Sequence, residues 1–124
     1  MNNTPKEDVE QKGLVAFLRL HRGQYFIHSN ENSLRASKKQ SVAAAKATAK
    51  RKRMGQVNGM PDLFVPSLNL YIEMKRIKGG VVSAVQKKCH EGLRSQGAKV
   101  YLAKGFLDAL REIERLEKKR NDNN

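Results

Sequence analysis

Residues 59–65 read Gly59-Met60-Pro61-Asp62-Leu63-Phe64-Val65, and residues 70–75 read Leu70-Tyr71-Ile72-Glu73-Met74-Lys75. Both runs are short, apolar and β-prone, and residues 66–69 between them (Pro-Ser-Leu-Asn) have the composition of a turn. Together they predict a β-hairpin with strands over 62–65 and 70–75. Side chains alternate along a strand. Leu70, Ile72 and Met74 therefore pack one way, into a core, while Tyr71, Glu73 and Lys75 point the other way. A short turn brings Asp62 level with Glu73. Two carboxylates at close range repel, and one is pushed toward protonation unless a cation joins them. Oxygen ligands of this type suit Mg2+ or Mn2+. Lys75 beside such an ion would orient or help activate water and stabilise a phosphate. The competing explanation of Glu73 and Lys75 is an ion pair on an exposed edge strand; Asp62 on the adjacent strand favours the site.

Working outward, residues 5–22 read as a helix. Thr4 can cap it, Pro5 suits its first position, and Glu7 and Asp8 sit at the positive end of the dipole. Val9, Ala16 and Leu20 form one stripe, with Leu14, Phe17 and Leu18 beside it, and Gly23 ends the helix. Residues 24–28 (Gln-Tyr-Phe-Ile-His) predict a strand. Residues 34–54 predict a helix whose apolar content is mostly alanine, so it buries little. It carries Arg35, Lys38, Lys39, Lys46, Lys50, Arg51, Lys52 and Arg53, and no acid occurs between Glu31 and Asp62. A solvated helix face normally alternates its signs. An all-positive stretch points instead to phosphate.

Beyond the hairpin, Lys78-Gly79-Gly80 reads as a flexible loop. Ser83 caps a helix of about fourteen residues. Residues 99–103 predict a strand, and residues from 106 to about 119 a last helix. The order is helix, strand, helix, two hairpin strands, helix, strand, helix. That pattern is α/β, a mixed sheet flanked by helices, in one domain spanning 1–124.

Bulk composition agrees. The chain has 124 residues, one domain's worth, with 39% hydrophobic and 6% aromatic residues and no Trp, so its core is aliphatic and modest. A domain of this size often gains stability by dimerising. The net charge of +13 makes nucleic acid the first candidate partner and an anionic membrane the second. The single Cys89 excludes an internal disulfide and a cysteine zinc site. A polar start and the lack of any apolar run of about 20 residues predict a cytoplasmic protein, not secreted and not membrane-bound.

Pro61-Asp62 followed by Glu73-Met74-Lys75 resembles the PD-(D/E)xK nuclease motif, the restriction-endonuclease-like core. The flanking residues narrow the resemblance: Gly59-Met60-Pro61-Asp62-Leu63, Ile72-Glu73-Met74-Lys75, Lys78-Gly79-Gly80, Gln86, and Gly97-Ala98-Lys99-Val100-Tyr101. Upstream stand Glu10-Gln11 and His28-Ser29-Asn30-Glu31. In this order they look like a virus-type replication-repair nuclease (VRR-Nuc) domain, over about residues 7–116.

The resemblance implies that Asp62 and Glu73 bind metal by side chain, that Met74 adds its backbone carbonyl, and that Lys75 is the catalytic lysine. It implies a substrate-contacting or supporting role for Gln86. Glu10 matches the family's first-helix acid, a direct or water-mediated metal ligand, and Glu7 is its rival. His28 and Lys78 join the nucleic-acid-binding set. Small viral members of the family resemble Holliday-junction resolvases and act as dimers in DNA repair. This implies a homodimer cutting branched DNA in a bacterial or virus-infected host cell. The segment 32–57 matches the family only loosely, and such inserts tend to set substrate choice.

Two other functions compete: a general nicking or restriction-type nuclease, and a non-catalytic basic nucleic-acid binder. Cys89 reads as a neutral buried thiol, despite Lys87, Lys88 and His90 beside it. His21 and His90 have no assigned partner, and Asp108, Glu112 and Glu114 read as a solvated helix face.

Overall fold

The computed structural model describes residues 6–30 and 41–123. Its elements run α1 (Glu7–Arg22), β1 (His28–Ser29), α2 (Val42–Arg53), β2 (Leu63–Val65), a 3-10 turn (Pro66–Leu68), β3 (Leu70–Lys75), α3 (Ala84–Ser95), β4 (Lys99–Lys104) and α4 (Phe106–Asp122). The strands form one mixed sheet in the order β1-β2-β3-β4. β1, β2 and β3 pair antiparallel, and β4 lies parallel to β3. The parallel pair needs a crossover connection, and α3 supplies it. The α/β architecture expected from the sequence is therefore the one observed.

The hairpin forms in the expected register, with Leu63, Phe64 and Val65 opposite Ile72, Tyr71 and Leu70. Its turn is a 3-10 turn closed by Asn69, whose φ of 49° and ψ of 46° are left-handed. Asparagine tolerates that region better than most residues. Asp62 stands one residue before β2, so its side chain is not constrained by the strand ladder.

Leu70, Ile72 and Met74 are buried on one sheet face together with Leu63 and Val65. Leu14 and Leu18 of α1 and Ala109, Ile113 and Leu116 of α4 pack against them. In α1 the buried residues fall four apart, as a helix with one inward stripe requires. Acids open α1 and bases close it, in the sense that complements the helix dipole. Arg22 binds Glu117 through Nε and Nη2, each at 2.8 Å, and pins α1 to α4.

Three expectations need correction. The strand over 24–28 shrinks to His28 and Ser29, while Gln24 and Tyr25 lie in a turn and Ile27 is a core residue. β2 is only three residues long, and its register leaves just Val65 opposite Ile27, so Gln24, Tyr25 and Phe26 have no ladder partner in β2; β propensity counts only where a ladder exists. Gly80 is not a free loop residue. A Cβ there would lie 2.9 Å from the Lys75 Cβ, so the chain crosses close over the lysine stem and only glycine fits. Asp108 is not simply solvated, since it accepts from the Tyr101 hydroxyl at 2.6 Å and from the Lys104 amide at 2.7 Å. Glu112 is likewise engaged, by Arg115 at 2.6 Å.

The basic helix is observed over Val42–Arg53; residues 34–40 of the expected helix, with Arg35, Lys38 and Lys39, fall outside the described residues, as do Thr4 and Pro5. Ser41 caps α2 by accepting from the Ala44 amide at 3.1 Å. Its last turn holds Lys50, Arg51, Lys52 and Arg53, and it buries no residue.

Candidate active site

The loop into β2 sets the position of Asp62. Asn30 holds it from the β1 side: its backbone N–H donates to the Asp62 carbonyl at 2.8 Å, and its side-chain amide donates to the Pro61 carbonyl at 3.1 Å. Gly59, at φ +83°, lets the same loop pass over the first turn of α3, where a Cβ would lie 2.8 Å from the Val85 carbonyl. Asp62 and the Glu73-Met74 pair then hold each other through side chain to backbone bonds. Asp62 Oδ2 accepts from the Met74 N–H at 2.8 Å, and Glu73 Oε2 accepts from the Asp62 N–H at 3.1 Å. The two carboxyls meet on one sheet face, and each perturbs the other's ionisation.

Lys75 follows on the same face of β3. Its ammonium lies 3.6 Å from Glu73 Oε1, and both side chains are buried, 8% and 3% exposed. Gln86 joins them. Its Oε1 accepts from Lys75 Nζ at 3.1 Å and from the Ser83 N–H at 3.0 Å, and its Nε2 donates to Glu73 Oε1 at 2.5 Å. Ser83 Oγ accepts in return from the Gln86 N–H at 3.1 Å. Gln86 is thus the third helical residue of a capping box, and the box that starts α3 also orients its amide toward the lysine and the acid. The signal was present in the sequence as Ser83-x-x-Gln86.

Electrostatics make the acid pair unusual. Burial pushes the Glu73 carboxyl up to about 8, reinforced by the Asp62 charge and only partly offset by Lys75. Burial also raises Asp62, against the lowering effect of the Met74 amide. Without an ion, the pair therefore retains a proton near neutral pH. One ammonium does not balance two desolvated carboxylates, and a divalent cation would. Among the described residues no three His, Cys, Asp or Glu side chains converge as a metal cage. Two carboxylates and a neighbouring backbone carbonyl still fit Mg2+ or Mn2+, because such ions commonly keep several water ligands.

Glu10 does not join this set. Its Oε2 accepts from the Phe106 N–H at 2.9 Å, so it serves the N-terminus of α4, a helix whose preceding residue is glycine and offers no side-chain cap. The α1 acid whose charge reaches Asp62 is Glu7. Spacing along one helix could not separate two acids three residues apart, since both fall on one side of it.

His28 is exposed on β1, and Lys78 is exposed in the turn after β3. Lys46, Lys50, Arg51, Lys52 and Arg53 are exposed on α2. His90, given no role by sequence, is 4% exposed, and its Nε2 has no hydrogen-bond partner among the described residues. Burial, then the charges of Arg94 and Lys75, lower its pKa and keep it neutral. It lies one helical turn beyond Gln86. Cys89 has a raised pKa from burial and donates weakly to Met60 Sδ at 3.5 Å, which suits an inert thiol.

No family model matches the sequence, and neither does any curated protein. In structure the chain is similar to a VRR-Nuc domain protein, with a TM-score of 0.72 and 23% identity over 94% of this chain and 92% of that one. The two share a fold across nearly their whole lengths. The mixed sheet with four helices is thus the fold of that VRR-Nuc domain protein. No helix among the described residues is long and apolar enough to cross a membrane.

Proposed function

We propose that this chain is a Mg2+- or Mn2+-dependent DNA endonuclease that hydrolyses phosphodiester bonds at Asp62, Glu73 and Lys75. The observation carrying this reading is the meeting of two desolvated carboxyls and a buried lysine on one sheet face, joined through Gln86. The shared fold with a VRR-Nuc domain protein supports it.

Asp62, Glu73 and the Met74 carbonyl would hold the ion. When bound, it would supply Lewis-acid stabilisation of a phosphate gaining negative charge. Lys75 has its own part. Its ammonium is fixed by Gln86 Oε1 and by the chain crossing at Gly80, so it presents a preorganised positive charge that costs little reorganisation as the phosphate reacts. Gln86 keeps Lys75 and Glu73 apart at a set spacing. Lys46, Lys50, Arg51, Lys52, Arg53 and Lys78 would hold backbone phosphates, with Arg35, Lys38 and Lys39 extending the same set, and His28 would contact the DNA beside them. Within this reading the protein acts as a homodimer on branched, Holliday-junction-like DNA, in the cytoplasm of a bacterial or virus-infected cell. A nicking or restriction-type activity on linear duplex is the alternative.

One observation favours a non-catalytic DNA binder instead: Glu73, Lys75 and Gln86 already satisfy one another without an ion. Labelled four-way, flapped and linear DNA, incubated with and without Mg2+ or Mn2+, separates the readings. Cleavage that needs metal, stops with chelator, and falls by a factor on the order of 100 or more in Asp62→Ala and Lys75→Ala while binding persists is the expected result. Binding without cleavage under every metal would leave only the basic binder. Paired cuts confined to four-way junctions support the dimeric resolvase, and equal cutting of linear duplex excludes it.

A further inference from the structure

The sheet face that carries Asp62, Glu73 and Lys75 also carries a row of rings. His28 on β1, Phe64 on β2 and Tyr71 on β3 are successive cross-strand partners. The His28 and Phe64 rings lie 5.6 Å apart between centroids at 68°, and the Phe64 and Tyr71 rings 4.4 Å apart at 37°. Leu63, Val65, Leu70 and Ile72, their neighbours in the chain, are all buried in the core, so strand alternation puts the rings on the opposite face. Phe64 and Tyr71 are half-buried and His28 is exposed. The helix on this side, α3, packs on β4, and no described helix makes its main packing against β1 or β2.

Cross-strand stacking for stability accounts for the contact between Phe64 and Tyr71. It does not account for a ring row left partly open beside the acids and ending in an exposed imidazole. Phe64 is two residues from Asp62, and Tyr71 is two from Glu73. Two residues along a strand span about 7 Å.

We propose that His28, Phe64 and Tyr71 form a base-stacking platform. It holds an unpaired base of the DNA strand whose phosphate lies at the Asp62–Glu73 pair. The proposal rests on the nucleic-acid reading above and narrows its substrate class. Charge complementarity names the occupant: the chain carries +13, and α2 bears five cations and no acid. Aromatic faces accept any base, because every base has a π-face. A base paired and stacked inside a duplex is not free to lie on them. The platform therefore selects strands with unpaired nucleotides, such as single strands, flaps and the open centres of junctions, over continuous duplex.

The test measures binding in chelator, so nothing is cut. Dissociation constants are compared for a labelled oligothymidine, the same length of strand bearing abasic positions, and a fully paired duplex. Wild-type protein is expected to bind the base-bearing strand about tenfold more tightly than the abasic one. Tyr71→Leu, shown folded by circular dichroism, should bind both strands equally, and Tyr71→Phe should keep the preference. His28→Ala, at an exposed position that spares the fold, should lower the preference about two- to threefold. Equal binding of both strands by wild-type protein overturns the proposal, whatever the variants do. So does an undiminished preference in folded Tyr71→Leu, or, if that variant does not fold, in His28→Ala. Self-association of the chain through this face, lost in Tyr71→Leu without any base preference, also overturns it in favour of a copy-to-copy interface. Failure of the nuclease reading shows separately, as wild-type protein that binds DNA but does not cut it with Mg2+ or Mn2+.

Discussion

The hairpin β2–β3 and the helix α2 are opposites built from the same chain. β3 buries five of its six residues, including a glutamate and a lysine, and Asp62, Glu73, Lys75 and Gln86 are held by named hydrogen bonds around it. α2 buries none of its twelve residues and carries only positive charge. A helix of that length is marginal alone in water, and the alanine face of α2 gains little from burial. On the proposed reading, the difference would separate two jobs. Desolvation around the hairpin is what perturbs Glu73 and Asp62, and chemistry needs such perturbation. On the proposed reading, exposure of α2 would keep its charges available for phosphates.

The widest gap should appear in amide hydrogen exchange. β3 amides are expected to exchange through global unfolding, and α2 amides through local opening, giving protection factors on the order of a thousandfold lower in α2. Equal protection would mean that α2 has a packing partner in the free protein.

Next comes charge. Replacing Lys50, Arg51, Lys52 and Arg53 together with Gln should lower the slope of log affinity against log salt by roughly 3 to 4, about 0.9 for each lost phosphate contact. Thermal stability should change little, because no buried contact is removed. A slope unchanged from wild type would detach α2 from DNA.

A smaller effect tests the hairpin. The Glu73 carboxyl titrates at about 8 in the metal-free fold and near 4.5 when unfolded. Its folded value is the higher one, so its contribution to stability is fully present below about 4.5 and is lost as pH rises through about 8. Metal-free melting temperature should fall by several degrees across that window from this cause, and Glu73→Gln should flatten the fall. His90, whose pKa is lowered, acts with opposite sign at acid pH, so the difference between variant and wild type is the quantity to read. A parallel pair of pH profiles would show that Glu73 is ionised throughout.

The smallest effect concerns Glu10. Glu10→Gln weakens a charge-assisted bond at the start of α4 and should cost about 0.5–1 kcal/mol in chemical denaturation, with metal affinity unchanged. Loss of metal binding instead would return Glu10 to the site.

Legibility followed the same divide. The hairpin, its register and the shared face of Glu73 and Lys75 were readable because strand alternation has period two and the turn is short. α3 was readable from Ser83. The extent of β1 was not, since its limit is set by the three residues of β2, a partner distant in sequence. Nor was the difference between Glu7 and Glu10, which depends on where the glycine-led start of α4 lands.

By itself, then, the sequence determined the order of elements, the acid pair and lysine on neighbouring strands, and a cationic helix, because each is a local pattern of period, turn chemistry or charge. Tertiary structure alone decided that Gln86 bridges Lys75 and Glu73, that His90 lies buried nearby, that Glu10 serves α4, and that three rings line up beside the acids. Each of those depends on contacts between segments far apart in the chain, and only packing of the whole sheet against its helices sets them.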